Sequence, residues 1–300
     1  MRRKKGIECY MIKITIEDKN YPDKLRNIKN PPKQLYLKGN IELLNQNTIS
    51  IIGSRNCTEK GKKLAEKFAS ELSYQGLAIA SGMAKGIDTA AHIGTIKVKG
   101  KTIEVLGNGF NHIFPKENTK LYQKIIETGG LIVSEYSPET KPSSNLFLER
   151  NRIVSGLSIG ILVIEAAYRS GTSVTAKLAK EQNRKIFVIP HEIEDAHGRG
   201  TNQLIRKGAT LVTSTKEIIE EFEFLQYKEL PKKKEKTKEI ARNIKNNEYQ
   251  KIYEIIANGN SNINEICKKS NKSISEINNI TLMLEIEGYI TKVAGGYICV

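Results

Sequence analysis

Residues 145–175 read NLFLERNRIVSGLSIGILVIEAAYRSGTSVT. Leu146–Leu157 has helical spacing and carries two arginines in Arg150-Asn151-Arg152. Ile159–Ile164 is a short apolar run, the pattern of a strand buried on both faces. Glu165 follows it, and the small-residue turn Ser170-Gly171-Thr172 opens another helical segment, Thr172–Gln182. A buried strand running through a tight turn into a helix N-terminus is a common anion site in α/β proteins. Free backbone N–H groups and the positive end of the helix dipole meet there.

The same unit repeats on both sides. Apolar runs fall at Thr48–Ile52, Leu77–Ala80, Thr102–Leu106, Leu131–Val133, Lys185–Ile189 and Thr210–Val212. Helical patterns fill the gaps at Glu59–Gln75, Asp88–Ile96, Asn118–Thr128 and Thr201–Lys207, and Lys216–Phe222 closes the series. Short apolar strands alternating with helices predict parallel strands covered on both faces and joined by right-handed crossovers. The expected fold is α/β: an extended Rossmann-like, doubly wound, mostly parallel sheet of about seven strands. Ligands of such sheets bind beyond the carboxyl ends of the strands. Five small-residue turns fall there: Gly53-Ser54-Arg55, Ser81-Gly82, Gly107-Asn108-Gly109, Ser134-Glu135 and Ser170-Gly171-Thr172.

Four domains are expected: a lead-in over residues 1–47, the Rossmann-like domain over 48–223, a charged linker over 224–247 and a small domain over 248–300. Prolines 22, 31 and 32 favour an extended lead-in, with Leu35, Tyr36 and Leu37 packing on the main domain. In the last segment Ile252, Ile255 and Ile256 mark one helix, Asn262–Lys269 a second and Ser273–Glu287 a third. The glycine-flanked pairs Tyr289-Ile290 and Tyr297-Ile298 read as a two-stranded ribbon, which completes a winged helix. Its third helix carries Glu276, Glu285 and Glu287 and no Lys or Arg. Such a helix is a poor phosphate reader, so a protein-contact or structural role is equally open.

The chain has 300 residues, 27% of them charged, with 48 Lys and Arg against 33 Asp and Glu, a formal charge of +15. That balance favours a polyanionic partner, although lysine enrichment of the whole composition would give the same total. No run of about 18 apolar residues exists, so no membrane span is expected. The basic arm MRRKKGIECY has no apolar stretch behind it and is not expected to be a secretory signal. Cys9, Cys57, Cys267 and Cys299 form no CxxC pair, and His92, His112, His191 and His197 no HExxH. No metal is expected, and the scattered thiols fit a reducing cytoplasm. The lack of GxGxxG after the first strand, of GxxxxGK[ST] and of GxSxG argues against a dinucleotide oxidoreductase, a P-loop ATPase and an α/β-hydrolase. No cofactor is expected.

Six stretches carry a resemblance: IIGSRNCTEKG (51–61), ASGMAKGIDTAAH (80–92), TIEVLGNGFNHIFPKEN (102–118), FLERNRIVSGLS (147–158), VIEAAYRSGTSVTAKLA (163–179) and GRGTNQLIRKGAT (198–210). In this order and spacing the chain resembles the bacterial DNA-processing DprA/Smf family over roughly residues 20–222. The resemblance implies an extended Rossmann fold that binds single-stranded DNA. It also implies a homodimer that protects incoming DNA and helps load the RecA recombinase in natural transformation, with no catalytic turnover. Three departures stand out. Pro190-His191 replaces the usual Pro-Gly, Asn111 stands where Asp is common, and no counterpart is seen of the helical domain that precedes the Rossmann domain in several members.

The resemblance carries a phosphate contact onto Gly53, Ser54 and Arg55. A guanidinium there can fork onto a phosphate, or pair with an acid such as Glu135. Gly82 and Lys85 are candidates to shape the same pocket, together with Gly86. Arg150 and Arg152 point about 200° apart on a helix, so only one faces the cleft. Arg152 is expected there, Asn151 beside it, and Arg150 in a buried pair with an acid. Arg169, Ser170, Gly171 and Thr172 form the anion-favouring helix start, although Thr172 can be a simple N-cap. Phe147 is a candidate to stack on a base, or to be core. Lys177 and Lys180 extend the basic track. Glu135 and Glu165 read as structural partners for arginines. The competing function is a nucleotide-processing enzyme of the phosphoribohydrolase-like Rossmann type, whose Pro-Gly-Gly-x-Gly-Thr turn is replaced here by Arg169-Ser170-Gly171-Thr172.

Overall fold

The computed structural model describes residues 10–168, 170–230, 240–241, 243–244, 246–259, 262–293 and 295–299. The chain divides into two units, Met1–Lys228 and Glu229–Val300.

Nine strands of the larger unit form one sheet. They are β1 Ile12–Thr15, β2 Gln34–Gly39, β3 Thr48–Ile52, β4 Ala78–Ser81, β5 Thr102–Leu106, β6 Leu131–Ser134, β7 Gly160–Val163, β8 Lys185–Val188 and β9 Thr210–Leu211. The helices are α1 Asp23–Arg26, α2 Glu59–Tyr74, α3 Ile87–Lys97, α4 Thr119–Glu127, α5 Ser144–Gly156, α6 Gly171–Glu181, α7 Arg199–Arg206 and α8 Thr215–Glu220. The spatial order is β1-β2-β6-β5-β4-β3-β7-β8-β9. The seven strands from β6 to β9 are mutually parallel, and β2 joins β6 antiparallel.

The lead-in is thus part of the sheet. Leu35 and Leu37 are fully buried, while Tyr36 between them lies under the Lys13 ammonium on the other face. Alternation with a period of two does this, and each buried leucine contributes about 1.5–3 kcal/mol.

The parallel strands bury both faces, as their unbroken apolar runs require. Ile161 and Val163 join the core under α5 and α6, and Leu162 between them joins the core under α2 and α3. From β3 the chain winds outward through β4, β5 and β6, then returns to β3 and winds the other way through β7, β8 and β9. Two crossovers therefore leave β3 and β7 in opposite directions, and a crevice opens at their carboxyl ends.

Residues 224–228, expected in the linker, pack on the larger unit. Leu225 and Tyr227 cover its core, and Gln75 and Lys228 exchange two hydrogen bonds of 2.8 Å. Residues Ala241 and Ile244, also from that span, are core residues of the smaller unit. There three helices, α9 Asn247–Ala257, α10 Ile263–Ser270 and α11 Ile274–Ile286, precede an antiparallel ribbon of β10 Ile290–Val293 and β11 Gly296–Cys299. Helix α11 starts in a capping box between Ser273 and Glu276. Ile277, Ile280 and Leu284 face its core, whereas Leu282 and Ile286 are exposed. No helix among the described residues is long and apolar enough to cross a membrane.

Candidate nucleic-acid interface

A cleft of about 700 Å³ lies beyond the ends of β3, β4 and β7. One wall is the loop after β3. Gly53, Ser54, Arg55 and Asn56 line it. Glu165 pins this loop at both ends. Its backbone carbonyl accepts from Ser54 N at 2.8 Å, and its carboxyl accepts from Thr58 N at 2.9 Å and from the Thr58 hydroxyl. Thr58 Oγ1 in turn accepts from Gly61 N, capping α2. Glu165 is therefore a loop anchor and pairs with no arginine among the described residues, which corrects the expected role.

Gly86 backs the same loop. Its φ is +84°, and a Cβ there would stand 2.4 Å from the Ser54 carbonyl oxygen. Only glycine allows both the conformation and the approach.

The opposite walls come from α5 and from the start of α6. Phe147 lies on Gly107, stacks on Phe114 at 5.2 Å between centroids, and carries the Arg55 guanidinium 6.0 Å above its ring. Arg55 is exposed and makes no ion pair among the described residues. Ser170, Gly171 and Thr172 line the cleft where α6 begins. Ser170 is the N-cap, but its hydroxyl caps nothing and is a buried oxygen without a hydrogen-bond partner among the described residues. Thr172 lies inside the helix, so the simple N-cap reading does not hold for it.

Under the cleft floor sits a buried charged group. Arg150 donates to the carbonyl oxygens of Gly82 (2.9 Å) and Val105. A Cβ on Gly82 would stand 2.7 Å from Arg150 Nη2, so the guanidinium passes because residue 82 has none. Asp88 accepts from the backbone N–H groups of Gly82 and Ala84. Burial raises its pKa, and Arg150 opposes that. Glu104 is fully buried, and neither of its oxygens has a partner. Burial pushes its carboxyl up to about 8 against the pull of Arg150. It therefore carries a proton at neutral pH.

The family model for DNA recombination-mediator protein A matches residues 13–223. The chain belongs to this family. It is 34% identical over 295 residues to the protein Smf of Escherichia coli, covering 95% of this chain and 76% of that one. The crystal structure of DNA processing protein A from Streptococcus pneumoniae aligns with a TM-score of 0.68 at 42% identity, over 71% of this chain and 75% of that one. DNA processing protein A from Helicobacter pylori, whose structure concerns a single-stranded DNA binding mode, aligns with a TM-score of 0.64 at 31% identity, over 71% of this chain and 96% of that one.

Of the residues expected at the interface of this family member, the cleft brings together Gly53, Ser54, Arg55, Gly82, Phe147, Asn151, Ser170, Gly171 and Thr172. Three others lie elsewhere. Arg152 faces away, held by Glu135 at 2.6 Å and by the Asn30 carbonyl oxygen at 2.9 Å. Arg150 takes the cleft side instead, which corrects the expected assignment. Two positions on a helix are separated by about 200°, and the sequence does not say which way the helix is turned. Lys85 is exposed and paired with Glu117 at 2.6 Å. Lys177 lies in a neighbouring groove. Arg169 lies outside the described residues. The sequence reading missed Asn56, Asp88, Phe114 and His197, which also line the cleft. Phe114 stands in the quoted FPKEN motif, but nothing local marks it as the ring that stacks on Phe147.

Proposed function

We propose that the chain binds single-stranded DNA in this cleft, holds it without cleaving it, and acts as a recombination mediator in natural transformation. The observation that carries the reading is Arg55: a guanidinium with no ion pair among the described residues, set over an aromatic ring at the mouth of a cleft whose far wall is a helix N-terminus. Such a site neutralises phosphates and offers ring faces to bases without reading base edges. Membership of the family and the single-strand binding mode of the Helicobacter pylori relative support it. RecA as the recombinase partner, protection of the incoming strand and a homodimer as the working form belong to the same proposal. So does a winged-helix role for the smaller unit in contacting protein. The nucleotide-processing alternative finds no support in the acids, since Glu165 anchors the loop and Asp88 holds the 82–84 turn.

The test is a titration of labelled oligothymidine and of duplex at rising salt. The single strand should bind more tightly, with log K falling by about 0.7 per phosphate neutralised for each tenfold rise in salt. A preference for duplex, or salt-insensitive binding, would overturn the reading.

A further inference from the structure

The loop after β8 ends on the cleft. Pro190-His191 opens it, where Pro-Gly is usual in the family, and Ala196 and His197 line the cleft just before α7. We propose that His197 is a further contact of the bound strand, donating from Nε2 to a phosphate when its ring is charged, and that Asp195 positions it. The proposal rests on the cleft reading and deepens it.

The main chain of this rim is tied down on both sides. Ala166, just past β7, donates its N–H to the His197 carbonyl oxygen at 2.9 Å and accepts from Gly200 N at 2.7 Å. Asn202 on α7 accepts from His191 N at 3.2 Å and donates to the His191 carbonyl oxygen at 3.0 Å. Glu165, the neighbour of Ala166, holds the loop that carries Arg55. Arg55 and His197 therefore stand on loops moored to adjacent residues of one strand end.

Asp195 aims the ring. A carboxylate only accepts, so His197 Nδ1 donates to Oδ1 at 3.1 Å, and His197 N donates to the same oxygen at 2.8 Å. Oδ2 faces His191 Nδ1 at 3.2 Å, and His191 Nε2 faces the Ile164 carbonyl oxygen at 2.8 Å. The His191 side chain is packed so closely that a Cβ on Gly198 would overlap it. It holds Asp195 in place, which glycine at 191 has no side chain to do. His197 Nε2 is left without a hydrogen-bond partner among the described residues, on a side chain 42% exposed in the cleft. With Nδ1–H given to a carboxylate, Nε2 accepts when the ring is neutral and donates when it is charged. Only the charged form suits a phosphate oxygen.

The surrounding charges leave that contact open. The loop's other acids, Glu192 and Glu194, are exposed and line no part of the cleft, and neither does Arg199 at the start of α7. Glu165 is engaged by Thr58. Across the cleft stand Arg55 and the start of α6, where the helix dipole favours an anion. The floor holds Arg150 and two acids that can titrate: Asp88, raised by burial, and Glu104, raised to about 8.

Anisotropy titrations of the full chain test this. The ligand is a labelled oligothymidine of about 6 nucleotides without a terminal phosphate, so that no ligand group titrates. The range is about pH 5.5 to about 7.5, over which imidazoles change charge, at fixed ionic strength. The parent should lose at least about threefold in affinity as pH rises, and its salt slope should fall by about 0.7, one phosphate contact. His197→Gln should bind at least about threefold more weakly than the parent at the acid end, with a nearly flat profile and a salt slope independent of pH. Asp195→Ala should behave like His197→Gln. Asp195→Asn should recover most of the parent's affinity and profile, because one amide oxygen can accept both His197 contacts while the NH2 donates to His191 Nδ1. A parent without pH dependence, or the same profile in the parent and His197→Gln, would overturn the contact, any shared dependence belonging to Asp88 and Glu104. A parent-like profile in Asp195→Ala would overturn the positioning role. None of these results touches the cleft reading, which falls if Arg55→Ala binds the oligonucleotide as tightly as the parent does.

Discussion

Arg55 shows how one side chain is made available by its neighbours. Glu165, the nearest strand-end acid in sequence to the cleft helix, is turned into the loop by Thr58, and Glu135 is taken by Arg152. The guanidinium is left facing solvent over Phe147. Arg55→Ala should weaken single-strand binding by about 1–2 kcal/mol for every sequence alike, and should reduce the salt slope by about one contact. A sequence-dependent loss in a titration series of mixed oligonucleotides would place Arg55 against a base instead. Glu104 gives a prediction of another kind. Its carboxyl titrates near 4.5 when exposed and at about 8 when buried here. The folded state holds the proton more tightly than the unfolded state does. This group's stability contribution therefore declines as pH rises from about 4.5 to about 8 and is constant beyond. Glu104→Gln removes that decline. In urea unfolding near pH 9 the variant should gain at least about 1.4 kcal/mol on the parent, the worth of one pKa unit, and the gain should vanish near pH 5.

At the scale of elements, the loop from Gly53 to Thr58 and the start of α2 act as one piece. Thr58 both caps α2 and ties it to β7 through Glu165. Thr58→Ala removes the cap and leaves a buried carboxyl oxygen without its donor. It should lower stability by about 1–3 kcal/mol in chemical denaturation. It should also weaken oligothymidine binding, although Thr58 lies outside the cleft lining, because Arg55 is carried on the loop it anchors. Unchanged binding with reduced stability would show that the loop keeps its shape without the tie. Helix α11 presents the opposite case. Its exposed face carries Leu282, Met283 and Ile286 and no cation, so it offers no charge to pair with a phosphate.

At the scale of the molecule, two units have separate cores, and every cleft residue lies in the first. A chain ending at Lys228 should fold cooperatively and bind oligothymidine within about twofold of the full chain at about 0.2 M salt, where the Debye length is below about 8 Å. At low salt it should lose more, since the lysines of 231–239 act only through diffuse attraction. Anisotropy titrations at the two salt concentrations check this. A large loss at high salt would place DNA contacts in the second unit.

Much of this was legible in the chain. Apolar runs such as Ile159–Ile164, alternating with helical patterns, specify parallel strands buried on both faces, because burial dictates the periodicity a reader sees. The strand-end position of Gly53-Ser54-Arg55 and Ser170-Gly171-Thr172 follows from the same alternation, since each turn closes a strand. Three matters were settled only by tertiary packing. The lead-in became β1 and β2 because β6 offered an open edge, which no local pattern records. Arg150 rather than Arg152 came to lie under the cleft because the angle at which α5 docks on the sheet decides which side turns inward, and both residues obey the helical period equally well. Phe114 and Phe147 met across 33 residues of chain through the packing of a loop on a helix. Sequence periodicity specifies which faces are apolar; the rotation of each element and its neighbours across the sheet depend on contacts between distant segments, and those exist only in the folded molecule.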